Sequence, residues 1–515
     1  RAGGASGEIT MKKLWLTFGL LGVALQVGYT ADPSRPWFRL TILHTTEPHG
    51  HLLPFSYPES VESQSPLSGM SHRSNIGGVA RRATLLRQLR ETLQPYPTLV
   101  IDAGDYMDGT PFSLEFQGEA DVATMNQCGY DYATLGNHEF SNPLEQVLRL
   151  VQKSNFQTVC ANLRYRDTGE PLVPPFAIAQ VGELRVALFG LVMTDTQNYR
   201  GARERVQVLN PFEVARELVP QLRQQADVVL LISHLGIGDD ERLAREVPGI
   251  DVIVGGHSHT RLAEPRFVEW PQKAPVNLGG TIIVQAHQWG GELGRLDLLF
   301  WRNLDTQRLE LVGYKGQLLP ITAAIRECPD TQRVLDRYWR RIAGKYGRIV
   351  GEATDDFVQR GDDLAHYNLV SDAVRATFGS EFDLQNMFGV RIELARGAIS
   401  YYDLARMLPF GNTIVRFEIT GRDLKRLLEE HRPTVSGIRY RTQNRRLVEA
   451  TINGEPIEDD RIYKGTTNSY FAERALQPMG IAYVDTGKRR LQVVADYIRQ
   501  QKRIAPVYDG RRVAR

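Results

Sequence analysis

Short apolar runs that stop abruptly at clusters of polar side chains recur along the first half of the chain. Residues 38–43 read as a strand that runs into Thr45-Thr46-Glu47-Pro48-His49-Gly50-His51, and 98–101 as a strand that runs into Asp102-Ala103-Gly104-Asp105. Residues 132–135 stop at Gly136, and Asn137-His138-Glu139 follows at once. Residues 228–232 end at Ser233-His234-Leu235-Gly236, and 251–254 at Gly255-Gly256-His257-Ser258-His259. Between these runs, apolar residues return at helical spacing over 79–93, 119–129, 211–226 and 241–246. Further strands are expected at 186–191, 281–285 and 295–301. Alternation of strands and helices at this spacing predicts a layered, mostly parallel α/β domain. In such a sheet, ligands bind beyond the carboxyl ends of the strands, where these clusters fall. Gly136 is expected to let the backbone take a conformation that a larger residue would resist. A charged, lightly apolar helix is expected over 326–348 as a link. A second, smaller α+β segment follows over 349–510, so the first domain spans 37–325.

Composition narrows the class. A chain of 515 residues is too long for one compact core. It is 42% hydrophobic and 24% charged with a formal net charge of +2, a balance that gives no support for nucleic-acid binding. Met11-Lys12-Lys13, an apolar segment to about Val27 and then small residues predict a signal peptide at 11–31. The expected location is therefore periplasmic or extracellular, with membrane attachment only through an uncleaved leader. Residues 1–10 precede a plausible initiator and are set aside. Cys128, Cys160 and Cys328 lack CxxC spacing and allow at most one internal disulfide; small buried residues are the expectation.

The strand-end clusters supply Glu47, His49, Asp105, Asn137, His138, His234, His257 and His259, which include five of the chain's 11 histidines. Imidazole nitrogens with carboxylate and amide oxygens suit divalent ions such as Zn²⁺, Mn²⁺ or Co²⁺. An acidic residue or histidine two positions from another histidine, as in Glu47-Pro48-His49 and His257-Ser258-His259, sends both side chains to one face of an extended segment. The count fits two metals sharing one carboxylate. Ions about 3.5–4 Å apart clamp the attacking and leaving oxygens of an in-line displacement at phosphorus. The residues by themselves thus point to phosphoester hydrolysis of a small-molecule substrate.

ILHTTEPHGHL, DAGDYMDGTP, LGNHEF, SHLG and GGHSHT resemble the five motifs of calcineurin-like metallophosphoesterases, in the bacterial periplasmic 5'-nucleotidase/UDP-sugar hydrolase branch. QAHQWGGELGRLDL is similar to that family's closing strand motif. The stretch 407–429, MLPFGNTIVRFEITGRDLKRLLE, resembles the signature of its C-terminal substrate domain. The resemblance implies a layered sandwich domain followed by a substrate-binding domain. It implies one metal held by Glu47, His49, Asp105 and His259 and a second by Asp105, Asn137, His234 and His257, with His138 catalytic. It also implies that Asn386 and Arg391 bind substrate, Arg391 at the phosphate, while Phe410 and Tyr470 stack on a base. The chain departs from the family at four places. Glu47 stands for Asp, and Ser141 for the Asp that orients the catalytic imidazole. Asp363 stands for a phosphate-binding Arg, and Arg474-Ala475-Leu476-Gln477 for GGDG. Two alternatives to nucleotide hydrolysis therefore remain. One keeps the metal chemistry on a 2',3'-cyclic nucleotide, nucleotide sugar or sugar phosphate; the other is a catalytically decayed binding protein.

Overall fold

The structure, a computed structural model, describes residues 37–58, 70, 72–271, 277–303 and 307–514. The leader read at 11–31 lies outside the described residues. Among the described residues no helix is long and apolar enough to cross a membrane. The chain divides into two compact units. Among the described residues, one unit takes those within Arg1–Pro54, Ile76–Met107 and Gln117–Leu335, and the other those within Phe55–Asn75, Asp108–Phe116 and Asp336–Arg515. The division falls inside the helix Pro329–Tyr346.

The strands of the first unit begin with β1 (Trp37–Thr45), β2 (Thr98–Asp102), β3 (Tyr132–Ala133), β4 (Gln157–Thr158) and β5 (Leu163–Tyr165). Next come β6 (Phe176–Val181), β7 (Leu184–Val192), β8 (Val206–Val208), β9 (Val228–His234) and β10 (Val252–Gly255). The last four are β11 (Arg266–Glu269), β12 (Gly280–Val284), β13 (Glu292–Arg302) and β14 (Leu309–Pro320). They build two six-stranded sheets, β14-β13-β1-β2-β3-β4 and β11-β12-β10-β9-β7-β6, while β5 pairs with β8. In the first sheet β1 to β4 run parallel and β13 and β14 are antiparallel at one edge. In the second, β7, β9, β10 and β12 run parallel and both edges are antiparallel.

The period of two explains the layers. Val228, Leu230 and Ile232 of β9 pack with Leu40 and Ile42 of β1 and Leu99 and Ile101 of β2, which places this core between the sheets. The alternate residues Val229 and Leu231 pack instead against Phe212, Ala215, Val219 and Leu222 of the helix Pro211–Gln225 and against Leu243 of Ile237–Glu246. Strands buried on both faces must be apolar throughout, which is why 228–232 shows no alternation. Each such side chain contributes about 1.5–3 kcal/mol when fully buried.

The strand expected over 132–135 pairs only over Tyr132–Ala133. The Thr134 N–H still donates to Asp102 O at 3.2 Å, but its hydroxyl turns to Val159 O at 2.9 Å and the chain leaves the ladder before Gly136.

The second unit centres on a five-stranded sheet ordered Thr434–Ser436, Phe382–Gln385, Ile462–Asn468, Thr413–Thr420 and Tyr483–Arg489. The helix Gly421–His431 covers it with Leu424, Leu427 and Leu428 against Val415 and Phe417. Thr420 caps this helix by accepting from Asp423 N at 3.2 Å.

Candidate metal and phosphoester site

The metal-capable side chains lie at strand ends or just past them, where backbone pairing continues into the loops. Glu47 N–H donates to Gly104 O at 3.2 Å and His49 N–H to Asp105 O at 3.0 Å, so the loops after β1 and β2 remain locked together. Glu47, His49, Asp105, His257 and His259 have φ of 53°, 46°, 53°, 69° and 53°. A side-chain-bearing residue in this left-handed region costs about 1–2 kcal/mol. Strain at five donors of one constellation, with the surrounding ladder holding them, is a pattern found at functional sites.

The inward atoms form two donor sets. Glu47 Oε2 lies 3.1 Å from His49 Nε2 and 3.2 Å from His259 Nε2, and those nitrogens are 3.3 Å apart. Asp105 Oδ2 lies 3.1 Å from His234 Nε2 and 3.9 Å from His49 Nε2, between the two sets. Asn137 Oδ1 lies 3.1 Å from His257 Nδ1. Ligand atoms about 2.0–2.1 Å from one tetrahedral ion stand roughly 3.3–3.4 Å apart.

Outer partners fix which ring nitrogens face inward. His49 Nδ1 donates to Met107 O at 3.2 Å, His234 Nδ1 to Ala103 O at 2.7 Å, and His259 Nδ1 to Gln288 Oε1. Each Nε2 is then free to present a lone pair, the arrangement that orients metal-ligating imidazoles. His234 Nε2 and Glu47 Oε2 are buried without a hydrogen-bond partner. Buried polar atoms are normally paired, so lone pairs converging at these distances fit a cation.

The electrostatics agree. Burial alone would lower His234, but Asp105 and Glu47 overcome it and push it up to about 10, a site demanding positive charge. Burial would raise Glu47, yet His234 and His259 hold it well below the usual carboxylate range. His257 is pushed down to about 4 by burial and by His234. Glu139 accepts from Asp105 N at 3.1 Å and Gly136 N at 2.7 Å, tying two of the loops. Burial and Asp105 push its carboxyl up to about 8.

His138 is partly exposed beside these sets. Its backbone N–H donates to Asp105 Oδ1 at 2.8 Å and its ring meets the His49 ring edge-on at 4.9 Å. Gly136 serves by close approach: a Cβ there would fall 2.1 Å from Asp105 Oδ1 and 2.7 Å from Asp105 N. It is not among the positive-φ glycines, so the backbone freedom expected of it is not what the site uses. Gln288, the partner of His259, lies in the QAHQWGG stretch, but nothing in that stretch marks it as such. The Tyr199 hydroxyl accepts from Asn137 Nδ2 at 2.7 Å. A tyrosine in an unremarkable loop carries no signal of such a contact.

In the second unit, the Arg391 guanidinium lies 5.8 Å from the centre of the Phe410 ring. Phe410 is 36% exposed and Tyr470 47% exposed, so neither is a buried core residue. Asn386 Oδ1 accepts from Asn468 Nδ2 at 2.8 Å. Asn468 Oδ1 in turn accepts from Phe471 N at 2.9 Å, which ties the Asn386 turn to the segment bearing Tyr470. Asp363 is committed to the Gly510 N–H at 3.0 Å, and Arg360 stacks on Tyr508 at 4.2 Å. Arg474 lies 5.7 Å from the Tyr470 ring centre. All three cysteines are free and buried.

A two-sheet α/β domain with this donor constellation, followed by a separate α+β domain, defines a phosphoester hydrolase. Residues 40–261 match the calcineurin-like phosphoesterase family and residues 349–477 match the 5'-nucleotidase C-terminal domain. The chain belongs to the 5'-nucleotidase family that joins these two domains. It is 27% identical over 519 residues to a 5'-nucleotidase of Vibrio vulnificus (strain CMCP6), covering 87% of this chain and 88% of that one. The crystal structure of a 5'-nucleotidase precursor from Thermus thermophilus is similar with a TM-score of 0.80 and 29% identity, over 93% of this chain and 99% of that one. The sulfate thiohydrolase SoxB of Thermus thermophilus shares the fold, with a TM-score of 0.78 and 20% identity, over 94% of this chain and 98% of that one.

Proposed function

We propose that the chain is an exported hydrolase of nucleotide phosphate esters whose first unit holds two divalent ions. The observation that carries this reading is the double donor set with Asp105 between its halves. Glu47, His49, Asp105 and His259 would hold one ion, and Asp105, Asn137, His234 and His257 the other; the mixed nitrogen and oxygen donors suit Zn²⁺, Mn²⁺ or Co²⁺. When bound, such a pair supplies Lewis-acid activation of water and neutralises charge at phosphorus. Ionised Glu47 and Asp105 keep the site negative enough to retain cations. His138 faces the phosphoryl group and donates an N–H to a developing oxygen charge or to the leaving oxygen. In the second unit Arg391 presents a planar fork to phosphate and Asn386 an amide to the substrate. Phe410 and Tyr470 offer faces to the base, worth about 1–3 kcal/mol per stacked base. Export rests on the leader pattern at 11–31 and is checked by N-terminal sequencing of the secreted protein.

One pair of observations favours a different ester. Asp363 is engaged with the backbone, and Arg474 sits by Tyr470 where the family's GGDG would hold ribose hydroxyls. A panel of AMP, 2',3'-cyclic nucleotides, nucleotide sugars and sugar phosphates decides between them. It is run on wild type and His138→Ala, after chelation and after Mn²⁺, Co²⁺ or Zn²⁺ is restored. Chelation abolishes turnover, added metal restores it, and His138→Ala lowers kcat by about 10²–10⁴-fold. Full activity in that variant would remove His138 from the mechanism, and preference for a non-nucleotide ester would replace the substrate.

A further inference from the structure

We propose that Tyr199 is a positioning residue for the Asn137–His138 pair, an inference that rests on the reading of Asn137 as a metal ligand. An asparagine amide has one end that can ligate a cation and one that cannot. Here the oxygen faces His257 Nδ1 at 3.1 Å while the nitrogen donates to the Tyr199 hydroxyl at 2.7 Å. With the oxygen turned inward, the NH₂ end needs an acceptor, and the hydroxyl supplies it. The same side chain reaches the neighbouring residue. The Tyr199 ring meets the His138 imidazole edge-to-face, with centres 5.7 Å apart at 68°. One tyrosine therefore touches both consecutive site residues, by its hydroxyl and by its ring.

The segment that carries Tyr199 is itself fixed to the turn that carries His138. Tyr199 closes the 3₁₀ turn Thr194–Asn198 by donating its N–H to Thr196 O at 3.0 Å. Its carbonyl accepts from Ala202 N at 3.0 Å and Arg203 N at 2.9 Å. Gly201 N–H then donates to Phe140 O at 2.7 Å, and a Cβ on Gly201 would fall 2.3 Å from Asn142 O. This approach is open only to glycine, and it sets the distance between the tyrosine and the Asn137-His138-Glu139 turn. The arrangement also bears on Ser141, which stands where the resemblance places an imidazole-orienting carboxylate. The ring of Tyr199 restrains the imidazole sterically without supplying a charge.

The test uses the full chain and three variants, Tyr199→Phe, Tyr199→Leu and Asn137→Ala. Mn²⁺ binding to the metal-stripped protein is measured by titration calorimetry, thermal unfolding is recorded without metal, and kcat and KM are determined at saturating Mn²⁺. Tyr199→Phe is expected to weaken one of the two Mn²⁺ steps about tenfold, as loss of a ligand's outer hydrogen-bond partner does, while the metal-free unfolding midpoint stays at the wild-type value. Tyr199→Leu is expected to lose the same affinity and to lower kcat further than Tyr199→Phe, with KM unchanged in both. If Tyr199→Phe binds both ions as wild type does while Asn137→Ala loses one, the positioning role is overturned and the metal reading stands. A midpoint that falls together with affinity in Tyr199→Phe assigns the tyrosine to the fold and likewise overturns it. If wild type binds no Mn²⁺, the metal reading fails and the positioning role fails with it.

Discussion

At the scale of single residues, the site depends on glycine where backbone and carboxylate crowd together. Gly136→Ala would put a methyl group 2.1 Å from Asp105 Oδ1, far inside contact distance. Because Asp105 stands between both donor sets, the expected result is loss of both bound ions with the fold retained. Metal content by atomic emission and circular dichroism of the same sample check this. Wild-type metal content would mean that the loops have room to shift. The positive φ values of five donor residues make a related point. The short polar motifs supply the donor atoms, while the strained backbone that aims those of Glu47, His49 and Asp105 is held by the ladder between the loops after β1 and β2. The motifs single out Glu47, His49, Asp105, Asn137, His138, His234, His257 and His259, and the fold brings these side chains together. The motifs are silent on Gln288 and Tyr199, because the partner that orients a ligand needs only one hydrogen bond and any of several residue types can supply it.

At the scale of elements, β1 carries a titratable group away from the donor atoms. His44 is buried, and burial pushes its imidazole down to about 3 from an ordinary value of 6.5. The folded state keeps it neutral while the unfolded chain takes up a proton below pH 6.5. The contribution of His44 is therefore fully present above that pH and is lost as pH falls through the window from 6.5 to about 3. Between pH 7 and pH 5 this one group removes about 2 kcal/mol of unfolding free energy. Urea unfolding of wild type and His44→Gln at the two pH values checks the figure, and the variant is expected to show the smaller drop. His44 also shows what the strand pattern hides. A Cβ on Gly294 of β13 would fall 2.1 Å from His44 Nε2, so a polar ring on one strand is fitted to a glycine on its neighbour.

At the scale of the whole molecule, the two units have separate cores, and ligands of different chemistry should stabilise them separately. An ion that binds only the folded state adds about 2.7 kcal/mol at a hundredfold excess over its Kd. Divalent metal is expected to raise the unfolding transition of the first unit and to leave that of the second in place. AMP under metal-free conditions is expected to raise only the second. Differential scanning calorimetry with and without each ligand tests the division of labour, and a metal-induced rise in both transitions would refute it.

The sequence by itself determined which residues end strands, which of those carry metal-capable atoms, and that the chain joins a layered α/β domain to a smaller α+β one. These features are local: apolar runs must be buried, and glycine with histidine and carboxylate after such a run is written in consecutive letters. Tertiary structure alone decided that the strands divide between two sheets, because a wholly apolar strand reads the same in either. It also decided that the described residues of 55–75, and 108–116, group with the second unit, although they lie among segments of the first in sequence. The contact of Tyr199 with Asn137, and the role of Gly136 in making room for Asp105, arise only when loops distant in sequence are packed against one another. No local spacing encodes a contact of that kind.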